Sequence, residues 1–154
     1  MGLESSFTLL RGIGEIILNN REEIHFSIDA YRGYRYVSVR KYIKQDGFTG
    51  PTADGVTLTP DIVRTLVPRL LALPEAAASL KLGTVGKFAK RPGMCIVVSI
   101  VELGNVRSLE LRSWEQDKGF TKKGILLPLA QWEQIRRLFA DTLAALEEQP
   151  DLDF

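Results

Sequence analysis

Apolar and polar positions alternate along several stretches of the chain with a period of two, and this pattern predicts strands. From Ile24 to Ala30, the apolar Ile24, Phe26 and Ile28 interleave with His25, Ser27 and Asp29. Tyr34 to Ile43 is dense in β-branched and aromatic residues and is the clearest strand. A short strand is expected at Glu15–Leu18, a turn at Asn19-Asn20-Arg21, and a hairpin turn at Arg32-Gly33. Gln45 to Asp54 carries Gly47, Gly50 and Pro51 and reads as a loop before a last short strand, Val56-Thr57-Leu58. The period then becomes helical. Thr59-Pro60 supplies an N-cap and a first-position proline. Val63, Leu66, Val67 and Leu70 form the buried stripe, and Pro68 inside it is expected to kink or end the helix.

The same scheme recurs. Shifted by 72 positions, Gly14 meets Gly86, Ser27 meets Ser99, Ile28 meets Ile100, Arg35 meets Arg107 and Arg40 meets Arg112. Gly47-Phe48-Thr49 falls on Gly119-Phe120-Thr121, and Tyr42 on Trp114. Beyond Thr49 the shift becomes 69, pairing Gly55 with Gly124, Val56 with Ile125 and Leu58 with Leu127, as one three-residue loop deletion requires. Strands are therefore expected near Gly86–Ala89, Met94–Val101, Val106–Trp114 and Ile125–Leu127. A helix is expected from Leu129 to Leu146, burying Trp132, Ile135, Phe139, Leu143 and Leu146. A single offset held over so long a stretch marks an internal duplication.

The expected fold class is α+β. Two repeats of a four-stranded antiparallel sheet followed by a helix pack as a pseudo-dimer through their helices. The expected divisions are 14–73 and 86–146 for the repeats, 74–85 for a linker whose Ala76-Ala77-Ala78 run allows an extension of the first helix, and 147–154 for an acidic, frayed tail.

Alternation also sorts the key strand into two faces. Val37, Val39 and Ile43 point toward the helix; Tyr34, Tyr36, Ser38, Arg40 and Tyr42 point away. In the second copy Leu109 and Leu111 point inward, and Ser108, Glu110, Arg112 and Trp114 outward. Each open face thus offers an arginine with an aromatic two residues on. Rings stack on unpaired bases and arginine holds phosphate, so the surface suits single strands, whose base faces are free. Periodicity alone equally allows Tyr42 and Trp114 as core residues, with Arg40 and Arg112 paired to carboxylates.

Charge changes this picture more than composition does. The 154 residues are 45% hydrophobic and 25% charged, as in an ordinary globular protein, with a net charge of +1. The charge is unevenly spread: nine basic residues against four acidic from Lys81 to Gly124, five against three from Ile24 to Gly55, but two against six from Ile125 to Phe154. Such a distribution attracts phosphate despite the near-neutral total. The single cysteine, Cys95, allows no internal disulfide and fits a reducing compartment. No apolar run spans a membrane, and the N-terminus lacks a secretion signal. Gly2 with Ser6 fits the loose myristoylation pattern, though an unmodified terminus is the simpler reading.

Catalytic readings find no support in the sequence. His25 is the sole histidine and lies on a strand, no CxxC or HxxxH spacing exists, and Gly12-Ile13-Gly14 lacks a dinucleotide context. Gly83-Thr84-Val85-Gly86-Lys87 has the wrong spacing for a phosphate loop. The chain reads as a non-enzyme with no metal and no cofactor.

The run Ser27–Tyr42 resembles the single-strand-binding core of the transcriptional positive cofactor 4 family. Tyr31-Arg32-Gly33 matches that family's turn, Val39-Arg40-Lys41-Tyr42 its strand end, and Gly47–Gly55 its loop. The second copy matches with Leu111-Arg112-Ser113-Trp114, Lys123-Gly124-Ile125-Leu126-Leu127 and Trp132. It departs at Leu103-Gly104-Asn105 and Glu110, and the first copy departs at Ala53-Asp54. The tandem purine-rich-element binding proteins fit less well. The resemblance implies a curved sheet with a helix, dimerised through helices, here fused into one chain, and single-stranded DNA as the partner. Arg32, Arg35, Arg40, Lys41, Arg107, Arg112, Lys122 and Lys123 are expected to hold phosphates. Tyr31, Tyr34, Tyr42 and Trp114 are expected to stack on bases, with Tyr36 on the same surface. RNA is a further candidate partner, as are transcription or replication proteins; a protein-interaction scaffold is the alternative role. The implied location is cytoplasmic or nucleoid-associated, or nuclear in a eukaryote.

Overall fold

In the computed structural model, which describes residues 7–148, four strands follow one another in chain order and pair antiparallel. They are β1 (Thr8–Ile17), β2 (Glu22–Tyr31), β3 (Tyr34–Gln45) and β4 (Phe48–Leu58), followed by helix α1 (Pro60–Leu71). A 3-10 turn at Ala77–Ser79 leads to the second sheet: β5 (Gly83–Arg91), β6 (Met94–Leu103), β7 (Val106–Glu115) and β8 (Gly119–Pro128). A further 3-10 turn, Leu129–Gln131, opens onto helix α2 (Trp132–Glu148). The expected class, two four-stranded antiparallel sheets each followed by a helix, is the fold of the chain. The Gly2–Ser6 pattern and the tail beyond Glu148 lie outside the described residues.

Several elements differ from the sequence expectation. β1 begins at Thr8 rather than Glu15, because two irregularities, at Leu9/Arg11 and Gly12/Gly14, break the alternation that would have revealed it. The stretch Phe48–Asp54 is strand rather than loop: β4 is held by its ladder to β3, which overrides the Gly and Pro signals. Pro68 does not break α1, which runs on to Leu71; the missing donor falls in the last turn, where Ala72 N–H closes the helix on the Pro68 carbonyl at 3.0 Å. At the other end Thr59 caps as expected, its hydroxyl accepting from Ile62 N–H at 3.2 Å. The alanine run forms the 3-10 turn and does not extend α1.

The ladders also correct the repeat alignment. Arg40 faces Gly55 and Tyr42 faces Pro51; Arg112 faces Gly124 and Trp114 faces Phe120. Pro51 therefore corresponds to Phe120, and the match of Gly47-Phe48-Thr49 to Gly119-Phe120-Thr121 is one of composition. The deletion shortens the tip of the second copy's hairpin.

Each helix packs across onto the other repeat. A Cβ on Gly14 of β1 would lie 2.7 Å from Leu138 of α2, and one on Gly86 of β5 would lie 2.9 Å from Arg69 of α1. Positions 69 and 138 are related by the repeat shift, as are 14 and 86, so the exchange is symmetric. The 3-10 turn at Leu129–Gln131 and α2 further cover the edge of β1, where Gln131 and Gln134 donate to the Ile17 and Glu15 carbonyls at 2.9 and 3.1 Å. The Trp132 indole donates to Pro74 O at 2.9 Å, fixing the connection between repeats. The result is one core that includes Ile24, Phe26, Val37 and Leu66 with Ile96, Leu111, Ile135 and Phe139. Phe26 and Phe139 meet edge to face within it, ring centroids 5.1 Å apart.

Because this core is shared, the halves are expected to unfold together. Phe139→Ala, which empties a site touching both repeats, is expected to cost about 3–5 kcal/mol. Chemical denaturation followed by fluorescence and circular dichroism should then give one coincident transition at lower denaturant.

Candidate nucleic-acid interface

The open faces are organised by an arginine lying on a glycine. In the first sheet a Cβ on Gly55 would fall 2.9 Å from Arg40 Cζ and 2.8 Å from the Val39 carbonyl. The guanidinium carbon thus sits over bare backbone, and Nη1 donates to Thr52 O at 3.0 Å. In the second sheet a Cβ on Gly124 would lie 2.5 Å from Arg112 Cζ, and Arg112 Nη1 donates to Thr121 O, again at 3.0 Å. Thr52 and Thr121 each accept, at Oγ1, the backbone N–H two residues on, at 3.1 Å. The same clasp, built twice, leaves each arginine in a fixed orientation with donors to spare.

Around Arg40 the first face is polar and aromatic. His25, opposite Arg40 in the ladder, stacks on Tyr42 with centroids 3.8 Å apart and planes 7° from parallel. Ser27 and Asp29 continue the row on β2, facing Ser38 and Tyr36. Arg32 and Gly33 turn the hairpin with φ of 52° and 83°, and the Arg32 guanidinium sits 5.2 Å from the Tyr31 ring. Phe7 comes back over this turn, stacked on Tyr31 at 4.8 Å and edge-on to Tyr36 at 5.6 Å. A groove of about 540 Å³ runs along this face between Phe7, His25, Asp29, Arg40 and Tyr42.

A second groove, of about 680 Å³, opens where the two sheets meet and shares Phe7, Arg40 and Thr57 with the first. One wall carries Tyr31 and Tyr36; the other carries Lys90, Arg91, Lys122 and Lys123 from the second repeat. Lys90 bridges the halves, its ammonium donating to Thr57 O at 2.9 Å. Burial, then repulsion from Lys123 and Arg91, holds the Lys90 ammonium below its usual pKa. Among the described residues none of these four cations forms an ion pair, and a polyanion in the groove would offset their mutual repulsion.

The expected site residues thus divide. Tyr31, Arg32, Tyr36, Arg40 and Tyr42 share the first face, with Tyr34 exposed at its hairpin end, and Lys122 and Lys123 line the groove between sheets. Trp114 lies half-buried beside Cys95 on the second face, over a separate shallow pocket near Lys90–Gly93. Three expectations are corrected. Arg35 is 5% exposed on the helix side of β3, donating to Leu146 O at 3.4 Å. Arg107, its counterpart, donates to Leu80 O. Arg35 thus grips the last turns of the opposite repeat's helix, and Arg107 grips the connection that leads into β5. Lys41 falls on the face opposite Arg40 and Tyr42 and pairs with Glu22 at 3.5 Å. Arg112 departs from the expected symmetry as well, since Glu110 accepts from its Nε at 3.1 Å. Phe7, Lys90 and Arg91 were not read from the sequence. The local charge excess pointed at the last two, whereas Phe7 reaches the site only through the irregular path of β1.

The described part is therefore a two-repeat sheet-and-helix pseudo-dimer with an aromatic and cationic cleft between its halves. The family model described as Transcriptional Coactivator p15 (PC4) matches residues 18–68, about a third of the chain, from the start of the β1–β2 turn into α1. The first repeat is thus similar to that family in sequence. No curated protein sequence matches the chain. Among solved structures, that of WHY1 from Arabidopsis thaliana aligns over 92% of this chain and 98% of its own, at 10% identity and a TM-score of 0.42.

Asp29 supplies a test of the first face's electrostatics. Burial raises its pKa, against the lowering by the Ser27 hydroxyl (2.9 Å away) and by Arg40. A carboxyl raised in the fold binds more protons folded than unfolded, so stability falls as pH rises through that window and the full penalty stands at neutral pH. Asp29→Asn, which keeps the Ser27 acceptor, is expected to melt higher than the parent at pH 7. The advantage should shrink as pH falls through the raised Asp29 titration toward about 3.9, the unfolded value. Thermal melts across that range check it.

Proposed function

We propose that the protein binds single-stranded DNA with little sequence preference, along the open face of the first sheet and into the groove between the sheets. The observation that carries this reading is the composite groove: Tyr31, Tyr36 and Phe7 on one side, Lys90, Arg91, Lys122 and Lys123 on the other, Arg40 at the junction. Rings accept any unpaired base, and cations spaced along a groove follow a backbone. A duplex, with its bases stacked inside, offers these rings no partner. The PC4 match over residues 18–68 supports the same ligand and a role in transcription or DNA maintenance, with nuclear or nucleoid association. The PC4 match supports reading the chain as a binding protein rather than an enzyme. No described helix is long and apolar enough to cross a membrane.

The test is a competition titration with an unstructured single strand, the matching duplex and an RNA of the same sequence, each at two salt concentrations. The single-stranded DNA is expected to bind most tightly and to lose affinity steeply with salt. Tyr36→Ala is expected to cost about 1–3 kcal/mol of binding, the range for one stacked base. Lys122→Ala with Lys123→Ala should reduce the salt slope by about 1.4, two single-strand phosphate contacts. Equal affinity for duplex, or tighter binding of RNA, contradicts the reading.

A further inference from the structure

The two clasps are alike in geometry but not in charge. At the position two residues before the clasped arginine, the first copy has Ser38 and the second Glu110. The Glu110 carboxylate accepts from Arg112 Nε at 3.1 Å, and both side chains are largely shielded, 22% and 25% exposed. Arg40 makes the same carbonyl contact, to Thr52 as Arg112 does to Thr121, but among the described residues it forms no ion pair, its charge reaching Asp29 only as a weaker influence. A carboxylate on a guanidinium occupies donors that a phosphate oxygen would use and cancels the charge that would attract it. Apart from Trp114, which matches Tyr42, the second face has lost the polar and aromatic residues of the first: where the first has His25, Tyr31 and Tyr36, the second has Val97, Leu103 and Ser108. The second repeat's cations, Lys90, Arg91, Lys122 and Lys123, line the groove shared with the first face instead.

We infer that Glu110 is a specificity-determining residue that closes the second repeat's open face to nucleic acid, so that one chain presents one strand-binding face rather than two. The inference rests on the proposed binding of single strands and adds to it which repeat binds. Glu110 stands in for the phosphate on Arg112; the second repeat lends its basic residues to the first repeat's site and contributes no site of its own.

The experiment compares the parent with Glu110→Ser, which installs the residue of the first copy, and Glu110→Gln, which keeps the side chain's size without its charge. A long oligothymidine is titrated and the affinity, stoichiometry and salt slope are read, with Arg40→Ala and Arg112→Ala made in the parent as controls. Removal of the carboxylate is expected to tighten binding about threefold to tenfold and to raise the salt slope by about 0.7, one further single-strand phosphate contact. Arg40→Ala is expected to weaken binding, and Arg112→Ala in the parent to leave it unchanged. If Arg112→Ala weakens the parent as much as Arg40→Ala, or if both Glu110 variants fold yet bind as the parent does, the inference is wrong while single-strand binding stands. If the parent binds no single strand and Arg40→Ala changes nothing, the functional reading itself fails.

Discussion

The exchange of helices between repeats is the contact on which the other features depend. Leu138 of α2 rests on Gly14, and Arg69 of α1 on Gly86, each glycine leaving room that a methyl group would fill. This close approach draws each helix onto the other repeat's first strand and makes one core from two units too small to bury a large one alone. It also fixes the angle at which the sheets meet, and hence the groove in which the aromatic wall of one repeat faces the lysines of the other. Arg35, donating to the Leu146 carbonyl of α2, reinforces the exchange, and Arg107 ties β7 to the connection between repeats at Leu80.

On that frame the arginine clasp acts as a positioning device. Gly55 and Gly124 remove the side chain that would otherwise stand under the guanidinium, and the Thr52 and Thr121 carbonyls fix one of its donors. A long flexible side chain is thereby ordered before any ligand arrives, which lowers the entropy lost on binding. The duplication preserved this geometry in both halves while the surrounding charge diverged, and a common scaffold with unequal faces is the outcome.

Much of this was legible from the residues. The offset of 72 and then 69 located both sheets and both helices, since each repeat carries its own period-two and helical patterns. The faces of β3 and β7 followed from alternation, including the shared placement of Arg40 with Tyr42 and of Arg112 with Trp114. Alternation also put Arg35 and Lys41 on the helix side, and counting them with the phosphate-holding cations set that rule aside. Arg35 and Lys41 sit beside Tyr36 and Arg40 in sequence, yet project to the helix side, where Leu146 and Glu22 receive them. Spacing set Glu110 beside Arg112 on one face and left open whether the two pair, as they do. The composite groove was hidden for a further reason: Phe7, Tyr36, Lys90 and Lys123 meet through the packing of two sheets, and no local pattern carries that information.

Binding in the groove between the sheets requires one strand to touch both repeats at once. Hydrogen–deuterium exchange of the whole chain, with and without a saturating unstructured DNA oligonucleotide, addresses this directly. Slowed exchange is predicted together in the Tyr31–Arg40 hairpin, at Lys90–Arg91 and around Lys122–Lys123, with Leu103–Val106 unchanged. Protection confined to one repeat, or centred on Leu103–Val106, would contradict it.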